Sequence, residues 1–209
     1  MINIYIVDDH RLIREGFRKI IEKEHDISIV GEAGNARDFF KDFVLKNCDL
    51  VVLDLNLPDK NGLDVLKEIK AVKPDLPVLI LSMHPEERYA IRTFKAGASG
   101  YISKEFADEK LIKAIREITS GGKYVSKEFG QIMAGDLLHN RGGLHDNLSD
   151  RELQIFLMIG NGKPVRDIAE KLSLSINTIN TYRKRILEKM NLKSNVEITR
   201  YVIQNNLGE

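Results

Sequence analysis

A doubly wound parallel α/β sheet followed by a small all-α unit is the fold class this chain predicts. Three observations predict it. Short β-branched runs alternate five times with helical patterns in the first part of the chain, the signature of βαβ units on a parallel sheet. Several of those runs stop on a polar landmark: Asp8-Asp9, Asp54, Ser82 and Lys104. Beyond Asn147 the strand pattern is gone and only helical periodicity remains.

The elements follow in order. Ile4-Tyr5-Ile6-Val7 sets the first strand, Asn3 to Val7, and a helix is expected from Leu12 to Lys23. A second strand is placed near Ser28 to Gly31, with a helix from Ala36 to Leu45. The run closed by Asp54 gives a third strand, Leu50 to Leu53, followed by a helix from Leu63 to Ala71. Val78 to Leu81 and Gly100 to Ile102 supply the last two strands, with a helix from Glu87 to Lys95 between them. In the fifth helix, Asp108 to Ser120, residues Leu111, Ala114, Ile115 and Ile118 fall at offsets zero, three, four and seven, so one face lies on the sheet. The pattern breaks after Gly121-Gly122. A short helix from Lys127 to Leu138 is expected next, then a polar hinge centred on Asn140-Arg141-Gly142-Gly143.

Past the hinge, Ser149-Asp150-Arg151-Glu152 reads as a capping box, with Leu148 and Leu153 stapling the helix entry. A second box, Ser194 to Glu197, opens the last helix. Between them, Pro164 to Leu172 and Ser175 to Met190 form two helices separated only by Ser173-Leu174, the proportions of a helix-turn-helix. Ile179, Ile186 and Met190 define the inner face of the second helix. Asn177, Thr181, Lys184 and Glu188 define an outer face that fits a major groove.

Composition limits the classes available. With 209 residues and 43% hydrophobic content the chain is long enough for two folded domains. Its formal net charge is +1, so nucleic-acid binding requires a local basic face. Cys48 is the single cysteine, which excludes an internal disulfide, and it reads as a small packed side chain. No stretch is long or apolar enough to span a bilayer and the N-terminus enters a strand directly, so a soluble cytoplasmic protein is expected.

The strand ends carry the chemistry. In a parallel sheet the carboxyl ends lie on one edge, where such folds bind ligands, so Asp8, Asp9, Asp54, Ser82 and Lys104 converge. Three carboxylates packed together repel one another, and a hard cation such as Mg²⁺ relieves this while keeping open positions for phosphate. His10, His84 and His139 lack metal-ligand spacing and read as surface or packing residues, with His84 at the rim. Gly31-Glu32-Ala33-Gly34 lacks the full dinucleotide-binding pattern.

Val7-Asp8-Asp9-His10, the stretch Leu53 to Pro58 through Gly62, Leu81-Ser82-Met83-His84 and Gly100 to Lys104 together resemble a response-regulator receiver domain of flavodoxin-like fold. The second half resembles a LuxR-type DNA-binding domain, and the whole chain resembles the NarL/FixJ family of two-component transcriptional regulators. The resemblance implies a receiver over residues 1–122, a linker with a short helix over 123–147 and a four-helix DNA-binding domain over 148–209. It implies that Asp54 accepts a phosphoryl group from a sensor histidine kinase or a small donor. Mg²⁺ would be held by Asp9, Asp54 and the Asn56 carbonyl, with Asp8 acting mainly through water. Lys104 would pair with a phosphoryl oxygen, Ser82 would swing to another, and Tyr101 would rotate inward as Ser82 moves.

In the second domain the resemblance places Asn180, Thr181 and Lys184 against DNA, with Arg183 and Arg185 on its backbone, and Asn177 joins them from the outer face of the same helix. Val196, Arg200, Tyr201 and Ile203 of the last helix would form a homodimer contact suited to inverted-repeat DNA. The resemblance implies a receiver that catalyses only its own phosphoryl transfer and autodephosphorylation, so no enzyme is expected. Three positions depart from the family's habit: Tyr182 stands where His is common, Ser173 where Gly is common, and Glu105 where Pro often follows the lysine. Two other classes compete: a haloacid-dehalogenase-type phosphatase, which wants a second acid where Asn56 stands, and a helix-turn-helix that binds protein.

Overall fold

The computed structural model describes residues 1–43, 46–83, 86–126, 130, 144–205 and 207, and divides into two compact units, Met1–Gly135 and Asp136–Glu209. The expected helix Lys127 to Leu138, apart from Gly130, and the expected hinge lie outside the described residues, as do His84 and His139.

The first unit is a five-stranded parallel sheet in the order β2-β1-β3-β4-β5, with β1 Ile2–Val7, β2 Ile27–Ala33, β3 Leu50–Asp54, β4 Val78–Ser82 and β5 Gly100–Ser103. Its helices are α1 Arg11–Ile21, α2 Ala36–Phe43, α3 Gly62–Val72, α4 Glu86–Lys95 and α5 Ala107–Thr119. Strand alternation sorts the side chains between two layers. Ile4 and Ile6 join Phe17 and Ile21 of α1 and Leu111 and Ile115 of α5 in one core. Tyr5, between them in sequence, points to the other layer, where its ring meets Phe39 of α2 edge-on at 5.1 Å. β3 and β4 are buried along their whole length, as expected of central strands covered on both faces. Each fully buried Ile or Leu contributes ~1.5–3 kcal/mol. Cys48 lies buried just before β3, and burial pushes its thiol above the ordinary value.

The second unit is all-helical: α6 Asp150–Gly160, α7 Val165–Lys171, α8 Ile176–Met190 and α9 Asn195–Gln204. The capping box at Ser149 and Glu152 forms as expected. At α9 only half of the second box forms. Ser194 Oγ accepts from Glu197 N, but the Glu197 carboxylate accepts from Lys193 N at 2.8 Å, one residue outside the cap. Glu152 has a further partner in Lys189 at 2.6 Å. Burial pulls its carboxyl upward, yet the bonds from Lys189 and Ser149 outweigh this and hold it below the usual range. Gly160 fits because a Cβ there would meet Val202 Cγ2 of α9 at 2.4 Å. The α7–α8 turn needs a left-handed residue, and Ser173 supplies it at φ 51° without glycine's freedom, a cost of ~1–2 kcal/mol.

Candidate functional site

Strand register builds the site. Val7 of β1 lies opposite Leu53 of β3, so Asp8 and Asp54, each one residue further, emerge side by side at the sheet's carboxyl edge. Asp54 pairs with Leu81 of β4, which puts Ser82 next to it, and Ser82 pairs with Ser103, the residue before Lys104. Four strands thus deliver Asp8, Asp54, Ser82 and Lys104 to one place. Asp8, Asp54 and Ser82 are fully buried.

Lys104 Nζ sits 2.7 Å from both Asp54 Oδ2 and Asp8 Oδ2, with its own side chain 2% exposed. It donates to Asp54, while Asp8 Oδ2, equally close to the ammonium, is held by charge without a directed hydrogen bond. Asn56 N donates to Asp54 Oδ1 at 3.0 Å. Burial pushes the Asp54 carboxyl up to about 6; Lys104 draws it down and Asp8 opposes Lys104. Asp9 is one-third exposed at the mouth, with its Oδ1 2.6 Å from His10 Nδ1.

Among the described residues, Asp8, Asp9, His10 and Asp54 each place one ligand atom within 4.8 Å of the others. Clustered carboxylate oxygens, one of them buried without a directed donor, fit a hard divalent cation. Sequence spacing gave His10 no place here, but its imidazole reaches Asp9 and lies 3.3 Å from Asp8 Oδ1. Two further residues escaped notice. Arg14 Nη1 donates to the Asp8 carbonyl at 2.5 Å, fixing the loop after β1. Asp59 accepts from the first amides of α2. Gly62 is where the motif required it: a Cβ would stand 2.3 Å from the Asp54 carbonyl oxygen. Tyr101 of β5, on the strand next to Ser82, is buried at 1% exposure.

In the second unit, Asn177, Asn180, Thr181, Lys184 and Arg185 are exposed on α8, while Ile179, Ile186 and Met190 are buried. Arg183 is half-buried and donates through Nε to Asn195 Oδ1 at 2.5 Å, so it braces α8 to α9. On α9, Val196, Arg200 and Ile203 share an exposed face, with Val196 70% and Ile203 66% exposed. Tyr201 is turned inward, its hydroxyl 3.1 Å from His145 Nδ1 and its ring edge-on to Phe156.

Residues 4–116 match the response regulator receiver domain, and residues 146–202 match the luxR family of bacterial regulatory proteins. The response regulator UvrY of Escherichia coli strain K12 is 37% identical over 209 residues, covering 99% of this chain and 96% of its own. The chain is a NarL/FixJ-family response regulator. The response regulator GacA of Pseudomonas aeruginosa is 33% identical over 209 residues, covering 99% of this regulator and 98% of its own length. RcsB of Salmonella enterica serovar Typhimurium, solved bound to promoter rprA in the presence of phosphomimetic BeF3-, superposes with a TM-score of 0.66 at 25% identity. That match covers 97% of this regulator and 98% of RcsB. No described helix of the regulator is long and apolar enough to cross a membrane.

Proposed function

We propose that this response regulator takes a phosphoryl group on Asp54 from a histidine of a sensor kinase, with Mg²⁺ as cofactor, and that this controls dimerisation and sequence-specific DNA binding in transcription. The observation that carries the reading is Asp54 itself, a buried carboxylate at a strand end between Asp8 and Lys104.

Asp54 is the nucleophile. Its carboxylate oxygen attacks phosphorus, the P–N bond of the donor phosphohistidine breaks, and the electron pair returns to the imidazole, which takes up a proton. Mg²⁺, held by Asp9, Asp54 and the Asn56 carbonyl with Asp8 acting through water, would offset charge on the phosphoryl oxygens. Lys104, already 2.7 Å from Asp54, exchanges part of that ion pair for a phosphoryl oxygen. The Ser82 hydroxyl serves a second oxygen, and its movement is felt at Tyr101 on the adjoining strand. Burial of Asp54 and Ser82 limits attack by water, so one modification outlasts the encounter with the donor. Asn56 stands where a phosphatase of this general architecture would place its second acid, so we read the chain as no multiple-turnover enzyme.

For the second unit, the exposed face of α8 supports major-groove docking: Lys184 and Arg185 offer phosphate contacts, and Asn177 or Asn180 has the two-bond geometry that reads adenine. The RcsB complex with promoter DNA supports the same use of this fold. Val196, Arg200 and Ile203 offer an apolar-centred face for a two-fold partner, and two-fold symmetry suits inverted repeats.

The test joins both halves. Full-length protein with Mg²⁺ and acetyl phosphate should gain one phosphoryl group by intact mass, and Asp54→Asn none. Genomic fragments sharing an inverted repeat should be enriched with Mg²⁺ and beryllofluoride and not with the variant. Phosphorylation surviving Asp54→Asn, or equal enrichment in every sample, would overturn the gated reading.

A further inference from the structure

The loop between β3 and α3, residues 55–61, is held at both ends. At its base, Asn56 and Asn61 form an antiparallel bridge and Gly62 N donates to the Leu55 carbonyl at 2.9 Å. At its tip, Asp59 reaches another helix. Its Oδ1 accepts from Ala36 N and its Oδ2 from Arg37 N, both at 2.9 Å, so the carboxylate straddles the first turn of α2. The neighbouring residue repeats the link, since Lys60 Nζ lies 5.9 Å from the centre of the Phe40 ring on α2 and pairs with Glu68 of α3.

Helix α2 does not depend on this carboxylate to begin. Asn35 already caps it locally, accepting from Asp38 N and donating to the Asp38 carboxylate, both at 2.8 Å. The remote contact therefore does something the local cap does not: it fixes where the loop tip goes. Asn56 is part of the anchored base, three residues before the anchored tip, and its backbone amide donates to Asp54 Oδ1. We propose that Asp59 is a positioning residue for the acidic site, tying the β3–α3 loop to α2 so that Asn56 is presented correctly to a bound divalent cation. This rests on the Mg²⁺ site proposed above. A negative charge at a helix N-terminus is electrostatically favoured, which keeps the tether closed.

The experiment is an Mg²⁺ titration of the full chain followed by amide chemical shifts, alongside hydrogen exchange and melting. Asp59→Ala should weaken Mg²⁺ about tenfold, within the range for residues that orient metal ligands. Exchange at the Ala36 and Arg37 amides should quicken. Asp59→Asn, which keeps one acceptor oxygen, should recover part of the affinity. Asn35→Ala removes the local cap and should lower the melting temperature while binding Mg²⁺ as wild type does. Wild-type affinity in Asp59→Ala, or an equal loss in Asn35→Ala, would overturn the positioning role while leaving the metal site in place. A wild-type chain that shows no Mg²⁺-dependent shifts would overturn both.

Discussion

Asp54 ionises against its surroundings, because burial raises its carboxyl to about 6 from an ordinary value of 3.8 despite Lys104. The folded state then holds a proton more tightly than the unfolded chain, so stability falls as pH rises through that window and the full cost is present above it. Asp54→Asn is therefore expected to melt higher than wild type at neutral pH in a metal-chelating buffer, by up to ~3 kcal/mol, with the difference closing toward pH ~4. Thermal melts across pH check this; a variant less stable at neutral pH would show that the Lys104 pair outweighs burial. Lys184, 80% exposed on α8, belongs to the opposite regime. Lys184→Ala should weaken duplex binding at all sequences, reduce the slope of log affinity against log salt by ~1, and leave phosphorylation unchanged, as read from salt titrations. The acid residues and Lys104 were legible because a strand-end position in a parallel sheet is also a spatial address. Arg14 and Asp59 were not, since their partners are backbone atoms that no spacing encodes. Arg183 and Tyr201 illustrate a different limit. Helical offsets say which side chains share a face, but not that Asn195 or His145 waits opposite.

Element ends shift by one or two residues from expectation, as at β2, where Ile27–Ala33 extends the expected Ser28 to Gly31 at both ends. The reason is that a strand continues as long as its neighbour offers partners: β2 pairs with β1 from Ile2 through Val7, a length that β2's own composition does not reveal. Helix starts with side-chain caps were more legible, because Ser149 and Glu152 name their own partners. The β3–α3 connection is the tightest junction. Gly62→Ala would drive a Cβ into the Asp54 carbonyl, and backbone cannot yield as a side-chain tip can. A loss of ~3 kcal/mol or more in urea unfolding is expected, together with weaker Mg²⁺ binding. A wild-type midpoint would mean that α3 slides to make room.

At the scale of the molecule, each unit closes its own core, the first around the sheet and the second around Phe156, Ile168, Ile179 and Ile198. A fragment of residues 144–209 is therefore expected to fold alone, with a cooperative melt by circular dichroism and a lower midpoint than the receiver's, because so short a chain buries a smaller share of its surface. A featureless melt would show that the second unit depends on the first. The two-unit plan was legible because hydrophobic periodicity changes type across the chain. Charge behaves likewise: a net +1 conceals Lys184 and Arg185, both exposed on α8, while Arg183 and Lys189 of the same helix are taken up by Asn195 and Glu152. Cys48 gives the molecule a built-in clock. The only thiol in the chain is shut away before β3 and held protonated by burial, so an electrophile waits for the sheet to open. Alkylation rate then counts excursions from the native receiver, and beryllofluoride with Mg²⁺ should slow the count. The same silence frees a cysteine introduced on α8 to carry a fluorophore and report on DNA without background.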